Sequence, residues 1–470
     1  MSDSSNTIIV LGGGLAGLSA GYALTKAGCT VSVFERDTVV GGLSKTIERN
    51  GFRFDLGGHR FFTKDESIDA FVRELMGTEL VSVQRSSRIY MRGKYFDYPL
   101  RPINAMFGLG LPTTARILAD YAKETFNRAT DRPEPVSLED WVVRNFGRTM
   151  FSIYFKEYSE KVWGIDCSMI CASWVAQRIK GLSLATAIKN AFFKFSGRGL
   201  ATLTDSFLYP SLGIGRISDR LRSEIEKSNT VSTNAGIVAI NHRDHRIESV
   251  TIRDQDRLRT IAADEFISSI PVTSLVRMLN PAPPAWILET AARLRFRDLV
   301  VVAIMVDREQ VTDQTWIYIP EQKIPFGRIH EPTNWSRAMA PAGKSLVIAE
   351  YFSFQGDPVW SMSDEGLSEL TVDHLARLGF LARRDLLDSM VVRVPKAYPL
   401  FKVGYRQYAD ALYEFLGRFE NLHSTGRSGM FRYYNMDVAI RSGLETASVV
   451  ARTSLRTGIV DVDEPVLAGT

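Results

Sequence analysis

The sequence TIIVLGGGLAGLSAGYALTKAGCTVSVFE, residues 7–35, decides how this chain begins to fold. Thr7 to Leu11 form a β-branched apolar run of strand length, the next stretch spaces its apolar residues as a helix does, and VSVFE reads as a second short strand. Gly12, Gly14 and Gly17 stand at the strand-to-helix turn in the pattern G-x-G-x-x-G. In that pattern the first glycine permits the tight turn, the second lets a pyrophosphate approach the backbone, and the third lets helix and strand touch. The helix N-terminus attracts the phosphate charge. Glu35 closes the second strand about 20 residues on, where a carboxylate can accept both ribose hydroxyls. Strand, glycines, helix, strand and acid in this order predict a dinucleotide-binding βαβ unit.

Around this unit, a chain of 470 residues with 45% hydrophobic residues can fill a globular core of more than one lobe. The formal charge of +4, from 57 basic and 53 acidic residues, is spread without a block of like charges, so nucleic-acid binding has no support. Cys29, Cys167 and Cys171 cannot build a disulfide framework and include no CxxC pair, so a reducing compartment and no metal are expected. The start MSDSSNTIIVLGGG lacks a basic region before its apolar run, and no window is apolar for the length of a membrane span. The expectation is a cytoplasmic chain without a transmembrane segment.

From residue 65 to 205 the pattern is mostly helical, with breaks such as DRPEPVSLEDW, where Ser137 is placed to cap a helix. TVSTNAGIVAINH, RIESVTIRD and DEFISSIP then predict strands that resume the first sheet. LVVVAIMVD, TWIYIP and SLVIAEYF predict a second, largely antiparallel sheet, and a helical pattern runs from Asp364 to Leu387. STGRSGMFRYYNMDVAIRSGLETA is a glycine-rich loop entering a helix.

Gly41 and Gly42, in ERDTVVGGLSKT just past the acid, resemble the second glycine pair of FAD proteins related to glutathione reductase and the amine oxidases. That resemblance implies an α/β fold: a Rossmann-type FAD-binding domain interleaved with a helical insertion and an antiparallel β-sheet substrate domain. The parts fall at 1–64, 206–275 and 416–470 for FAD, 65–205 for the helical cap, and 276–415 for the substrate sheet. The implied cofactor contacts are Gly12, Gly14, Leu15, Ala16, Gly17, Glu35, Arg36, Gly42, Leu43, Gly58 and His59, with the Val238 backbone facing adenine and Gly426, Arg427, Asn435 and Met436 closing on the flavin. FAD is expected to be held non-covalently.

GGHRFFT (Gly57 to Thr63), EYSEKVWG (Glu157 to Gly164), FGRIHE (Phe326 to Glu331), AEYF, KAYPL and GRSGMFRYYNMD (Gly426 to Asp437) resemble, in the same order, the UDP-galactopyranose mutase family. The resemblance implies a reduced flavin whose N5 attacks the anomeric carbon of a nucleoside diphosphate sugar, so that the ring can reclose through another hydroxyl. NAD(P)H is an eligible reductant and a homodimer an eligible assembly. By the same resemblance Arg328 and Arg178 hold the diphosphate, as bidentate guanidinium groups can. Arg178 matches after a one-residue insertion; Gln177 occupies the ungapped position and Lys180 is the alternative. Tyr158 would stack on the base, Trp163 line the sugar pocket, Tyr398 and Tyr433 reach the diphosphate, and His59 lie on the flavin ring. His242, His245, His330, His374 and His423 are read as structural. Asn435 departs from the family's aspartate and removes a negative charge. FLYPSLGIGRISDRL looks more like the oxidase and desaturase branch typified by protoporphyrinogen oxidase, which keeps open an FAD oxidase or dehydrogenase taking hydride from a small molecule.

Overall fold

The computed structural model describes residues 6–98, 110–127, 133–173, 206–255 and 257–456; Gln177, Arg178, Lys180 and the segment after them lie outside these. Strand β1 (Thr7–Leu11), helix α1 (Leu15–Lys26) and strand β2 (Thr30–Phe34) form the expected first unit. Strand β1 is the middle of a five-stranded parallel sheet, with Glu265–Ser268 and Leu422–Ser424 on one side and β2 and Thr230–Ser232 on the other. A parallel strand is covered on both faces, which is why TIIVL is apolar at consecutive positions. Ile8 and Val10 pack with Leu18 and Leu24 of α1 and with Ile440 and Val450 of the C-terminal helix Met436–Arg456. Ile9 and Leu11 pack to the opposite side with Ile237 and Ile240.

The two covering layers are held by close backbone approach. A Cβ added at Gly17 would stand 2.0 Å from the carbonyl oxygen of Gly12, and one at Gly443 would stand 2.1 Å from that of Ala16. Gly12 itself has φ +101°, a left-handed conformation that side chains resist. These contacts bring the two ends of the chain together on one helix.

The expected return to the first sheet holds only for Thr230–Ser232 and Glu265–Ser268. Ala235–Arg243, Arg246–Asp254 and Arg257–Ala262 instead make a separate antiparallel meander, joined by the short strand Leu279–Asn280. Period-2 alternation marks a strand without naming its neighbour. The second large sheet has seven strands in the order Leu386–Pro399, Phe296–Val306, Ser345–Ser353, Arg328–His330, Trp316–Tyr318, Ser87–Met91, Lys94–Asp97. Its last two strands come from the segment expected to be mainly helical; Ser87–Met91 pairs in parallel with Trp316–Tyr318. Helices Glu66–Met76, Leu138–Phe146 and Lys156–Trp163 do lie in that segment, and Ser137 caps the second through a reciprocal hydrogen-bond pair with Asp140.

The segment FLYPSLGIGRISDRL is scaffold. Tyr209 donates its hydroxyl to Asp55 Oδ2 at 2.6 Å, and the Ile214 N–H donates to Oδ1 at 3.2 Å, so this buried carboxylate is satisfied from that segment. A Cβ on Gly213 would lie 2.3 Å from Thr46 Oγ1. The helix Arg216–Ile225 then supplies Ile217 and Leu221 to the core beside α1.

Gly14 differs from its neighbours, because a Cβ there would meet nothing of the protein closer than Gly42 Cα at 3.9 Å. Gly17→Ala is expected to destabilise the fold by about 1–3 kcal/mol through overpacking. Gly14→Val should leave the unfolding midpoint of the flavin-free protein unchanged yet yield colourless protein. Thermal unfolding of flavin-stripped samples and the visible spectrum as purified separate the two effects.

Candidate active site

Glu350, in the strand Ser345–Ser353, has no exposed surface and lies opposite Arg328 in antiparallel register. Residues so paired project from the same face. Arg328 grips both carboxylate oxygens, Nε to Oε1 at 2.8 Å and Nη2 to Oε2. The Gly58 N–H donates to Oε1 at 3.2 Å, and His330 Nδ1 lies 3.2 Å from the same oxygen, out of line for a hydrogen bond. Burial alone would raise the Glu350 pKa; the Arg328 charge and the His330 contact outweigh it and hold the carboxyl down at about 2. Pairing of this kind is obligatory, since an unpartnered charge in a protein interior is costly.

The turn Gly57–His59 runs against this pair. A Cβ on Gly58 would stand 2.8 Å from Trp316 Nε1 and 3.6 Å from Arg328 Cζ, so the glycine lets the turn approach. Burial lowers the His59 pKa to about 4, with Glu350 opposing and Arg328 and Arg427 adding to the shift. His59 is therefore neutral at pH 7, and its Nδ1 is buried without a hydrogen-bond partner among the described residues. It can exchange a hydrogen bond with a bound group but does not supply a charge.

Arg427 is placed differently from Arg328. Its guanidinium lies 4.4 Å from the Tyr433 ring and 5.0 Å from the Tyr398 ring, a cation between two aromatic faces. Nη1 donates to the Tyr434 carbonyl at 3.4 Å, while Nε and Nη2 are buried with no acceptor among the described residues. Burial pushes the Tyr398 hydroxyl up to about 12 and Tyr158 well above its ordinary value, so both are neutral donors. The Tyr158 ring meets Tyr318 edge-on at 5.8 Å, and Tyr318 meets Tyr98 at 4.5 Å.

His59, Arg328, Tyr158, Tyr398, Tyr433 and Arg427 are thus brought together. Trp163 is 4% exposed and packs edge-on at 6.3 Å against Tyr398, within the core. Asn435 stands exposed immediately before the helix Met436–Arg456. Arg178 lies outside the described residues.

Glu350 escaped the sequence reading although AEYF was singled out. A lone carboxylate in the apolar run SLVIAEYF was the available signal, because a buried charge demands a partner. Lys161 and Arg297 escaped it too. Lys161 donates to the carbonyls of Ile319, Glu321 and Ile324 at 2.9, 2.8 and 2.7 Å, and Arg297 donates to those of Val162 and Phe352 at 3.1 and 2.8 Å. Together they fasten the Tyr158 helix to the loop before Arg328 and to the Glu350 strand.

The same residues fit a flavin dinucleotide. Helix α1 has no side-chain cap and no acid in its first turn, leaving its N-terminal N–H groups for phosphate. Glu35 accepts the N–H groups of Gly13 and Asp37 at 2.8 and 2.9 Å, which leaves lone pairs on both oxygens for ribose. Val238 falls at a register shift between Ile237 and Ala239, so its backbone leaves the ladder, and Arg36 lies beside Gly236. Gly42 and the half-buried Leu43 open a short 3₁₀ turn against Gly14. A Cβ on Gly426 would stand 2.8 Å from the Ala16 side chain, so the C-terminal loop with Arg427, and Met436 just beyond it, closes on the buried Leu15 and Ala16. The two orphaned donors of Arg427 are where an electron-rich ring edge would be received.

Fold and site define a flavin dinucleotide enzyme built on a Rossmann-type domain. Residues 15–451 match the family of flavin containing amine oxidoreductases, and the chain belongs to that family. It is 25% identical over 176 residues to a probable UDP-galactopyranose mutase of Klebsiella pneumoniae, covering 36% of this chain and 44% of that one. It is 26% identical over 212 residues to protoporphyrinogen oxidase 2 of Arabidopsis thaliana, covering 42% of each. The chain thus spans less than half the length of these curated relatives. Its fold superposes on a crystal structure of reduced UDP-galactopyranose mutase with a TM-score of 0.82 at 23% identity, over 95% of this chain and 94% of the other. No helix among the described residues is long and apolar enough to cross a membrane.

Glu350→Gln tests the centre of the site. A carboxyl held at about 2, against an ordinary 4.5, stabilises the fold above pH 4.5 and loses that contribution as pH falls toward 2. The variant should lose about 3–5 kcal/mol at neutral pH, as when a buried pair is broken, and should lack the wild-type decline below pH 4.5. Urea unfolding at neutral and acid pH measures both; an unchanged neutral midpoint would remove Glu350 from its central role.

Proposed function

We propose that the protein is an FAD-dependent enzyme acting on a nucleotide-linked sugar, a pyranose/furanose isomerase like UDP-galactopyranose mutase. The observation that carries this reading is the meeting of Arg328 with Tyr158, Tyr398, Tyr433 and His59 on one buried surface, which joins a phosphate-binding fork to aromatic and hydroxyl groups suited to a nucleotide. Bound in its reduced form, the flavin would supply the N5 nucleophile for displacement at the anomeric carbon. Tyr398 and Tyr433 donate hydroxyl hydrogen bonds to the diphosphate as it takes up charge, at little ordering cost. Tyr158, edge-on to Tyr318, offers a face to the base. Arg328 reaches the diphosphate with the guanidinium edge that Glu350 leaves free. Asn435 hydrogen-bonds the substrate without the charge of an aspartate.

A second reading rests on the same ion pair. Because Glu350 neutralises Arg328, the site offers less positive charge to a diphosphate than two free arginines would, which favours an oxidase or dehydrogenase taking hydride from an uncharged carbon. In the segment FLYPSLGIGR, which resembles that branch, Tyr209 and Gly213 serve the scaffold.

Anaerobic titration with UDP and UDP-galactose, following flavin absorbance in the oxidised and dithionite-reduced states, distinguishes the two. Binding of UDP confined to the reduced state is expected. Spectral silence toward both ligands, together with bleaching of the oxidised flavin by an amine or a ring substrate, would transfer the assignment to the oxidase. Arg328→Lys keeps a charge opposite Glu350 but not the fork, and is expected to weaken UDP binding about tenfold with flavin retained, for a loss of about 1.5 kcal/mol. Arg427→Gln should instead lower the affinity for flavin by about tenfold or more, as loss of a charged hydrogen-bond donor does.

A further inference from the structure

A second cavity, of about 260 Å³, lies between the short helix Val272–Leu275 and the bulge that precedes Tyr398. Arg277, Arg295, Lys396, Thr273, Asp298 and Gln355 line it. Its size is below the roughly 300–1,000 Å³ of pockets that enclose a whole small ligand, so it suits a group rather than a molecule.

The charges around it do not balance. Among the described residues no carboxylate lies within 4.0 Å of Arg277, Arg295, Lys396 or the neighbouring Arg36. The one acid in the lining, Asp298, is 5% exposed and spends its oxygens on backbone donors, the Lys396 N–H at 2.7 Å and the Gln355 N–H at 3.0 Å. Arg295 rests on the Phe354 ring at 4.6 Å, opposite Arg297 at 4.2 Å, so its guanidinium is fixed by an aromatic face instead of an acid. Lys396 adopts φ +57°, a left-handed conformation for a residue with a long side chain, and Asp298 holds it there by accepting its N–H. That conformation carries Nζ to 2.6 Å from Ser274 Oγ, its one hydrogen bond among the described residues, and leaves two ammonium protons. Burial, and after it the Arg277 and Arg36 charges, disfavour the Lys396 charge, with Asp298 opposing them. A strained, half-buried lysine crowded by like charges is destabilising unless an anion joins it.

The larger cavity, near Gly164 and Phe352, differs: its Lys161 donates to three backbone carbonyls, its Arg297 is held by carbonyls and by Asp357, and Glu160 and Asp166 share its lining.

We propose that the Arg277–Arg295–Lys396 cavity is a phosphate subsite distinct from the flavin and nucleotide sites, with the two arginines at its mouth and the lysine ammonium and Thr273 hydroxyl within. It takes the phosphate of a monoester or diphosphate ligand whose remainder lies outside. This inference does not rest on the sugar-nucleotide reading, because an oxidase could carry the same subsite.

The test uses the FAD-loaded protein and inorganic phosphate, followed by calorimetric titration. Arg277 and Arg295 are both exposed, so the double variant Arg277→Gln/Arg295→Gln keeps its core. Phosphate is expected to bind the wild type saturably and the double variant at least about tenfold more weakly, each lost charged hydrogen bond being worth about 1.5–3 kcal/mol. Lys396→Gln should weaken it similarly. UDP binding to the reduced double variant should match the wild type, which separates this inference from the fate of the nucleotide site. Three results would overturn it: no saturable binding, equal binding by wild type and double variant, or binding seen only after FAD is stripped, which would assign the cations to the cofactor's own phosphates. Parallel loss of UDP affinity would assign them to the nucleotide site, and would overturn it as well.

Discussion

The structure depends on how closely backbone can approach backbone at the start of α1. Gly17 lies on the carbonyl of Gly12, and Gly443 on that of Ala16, at separations where any side chain would collide. The first contact sets the tilt of the helix over β1, and the second seats the last long helix across its opening turn. A cofactor laid on this turn is consequently enclosed by the first and last parts of the chain. The segment carrying Arg427 is delivered to it by the same contact, since Gly426 abuts Ala16.

A second constraint organises the catalytic half. Glu350 lies in a strand in which every residue but Phe352 is buried, and its charge could not persist there unaided. Arg328 and the Gly58 N–H satisfy it, and His330 leans against it while stacking on Trp335 at 4.9 Å. Two elements, the strand Arg328–His330 and the turn at Gly58, are thereby tied to one carboxylate. The pairing also changes what Arg328 can do: it becomes an oriented fork of reduced net charge, while Arg427, held between two phenol rings, remains the buried cation with donors to spare.

These two arginines divide the site electrostatically. Arg427 comes from the same loop that meets α1, whereas Arg328 belongs to the seven-stranded sheet. His59 lies under the influence of both and of Glu350, and its neutrality follows from burial before any of the charges is counted. An arrangement of fixed dipoles and shared charges of this kind needs little reorganisation when a ligand gains or loses charge.

The sequence by itself determined the βαβ unit, because glycine spacing, strand length and terminal acid are local requirements of a phosphate-binding turn, and Gly12, Gly17 and Glu35 meet them through neighbours within a few residues in space. It also marked the motifs that converge, including those of Tyr158, Arg328, Tyr398 and Tyr433. Only the tertiary structure decided that Ser87–Met91 joins the seven-stranded sheet, that Trp163 packs against Tyr398, that Tyr209 and Gly213 are scaffold around Asp55, and that Glu350 is the hub beneath Arg328. The physical reason is the same in each case: strand partners, burial and charge pairing are set by residues tens to hundreds of positions away, and a periodic pattern records that a face will be covered without recording what covers it.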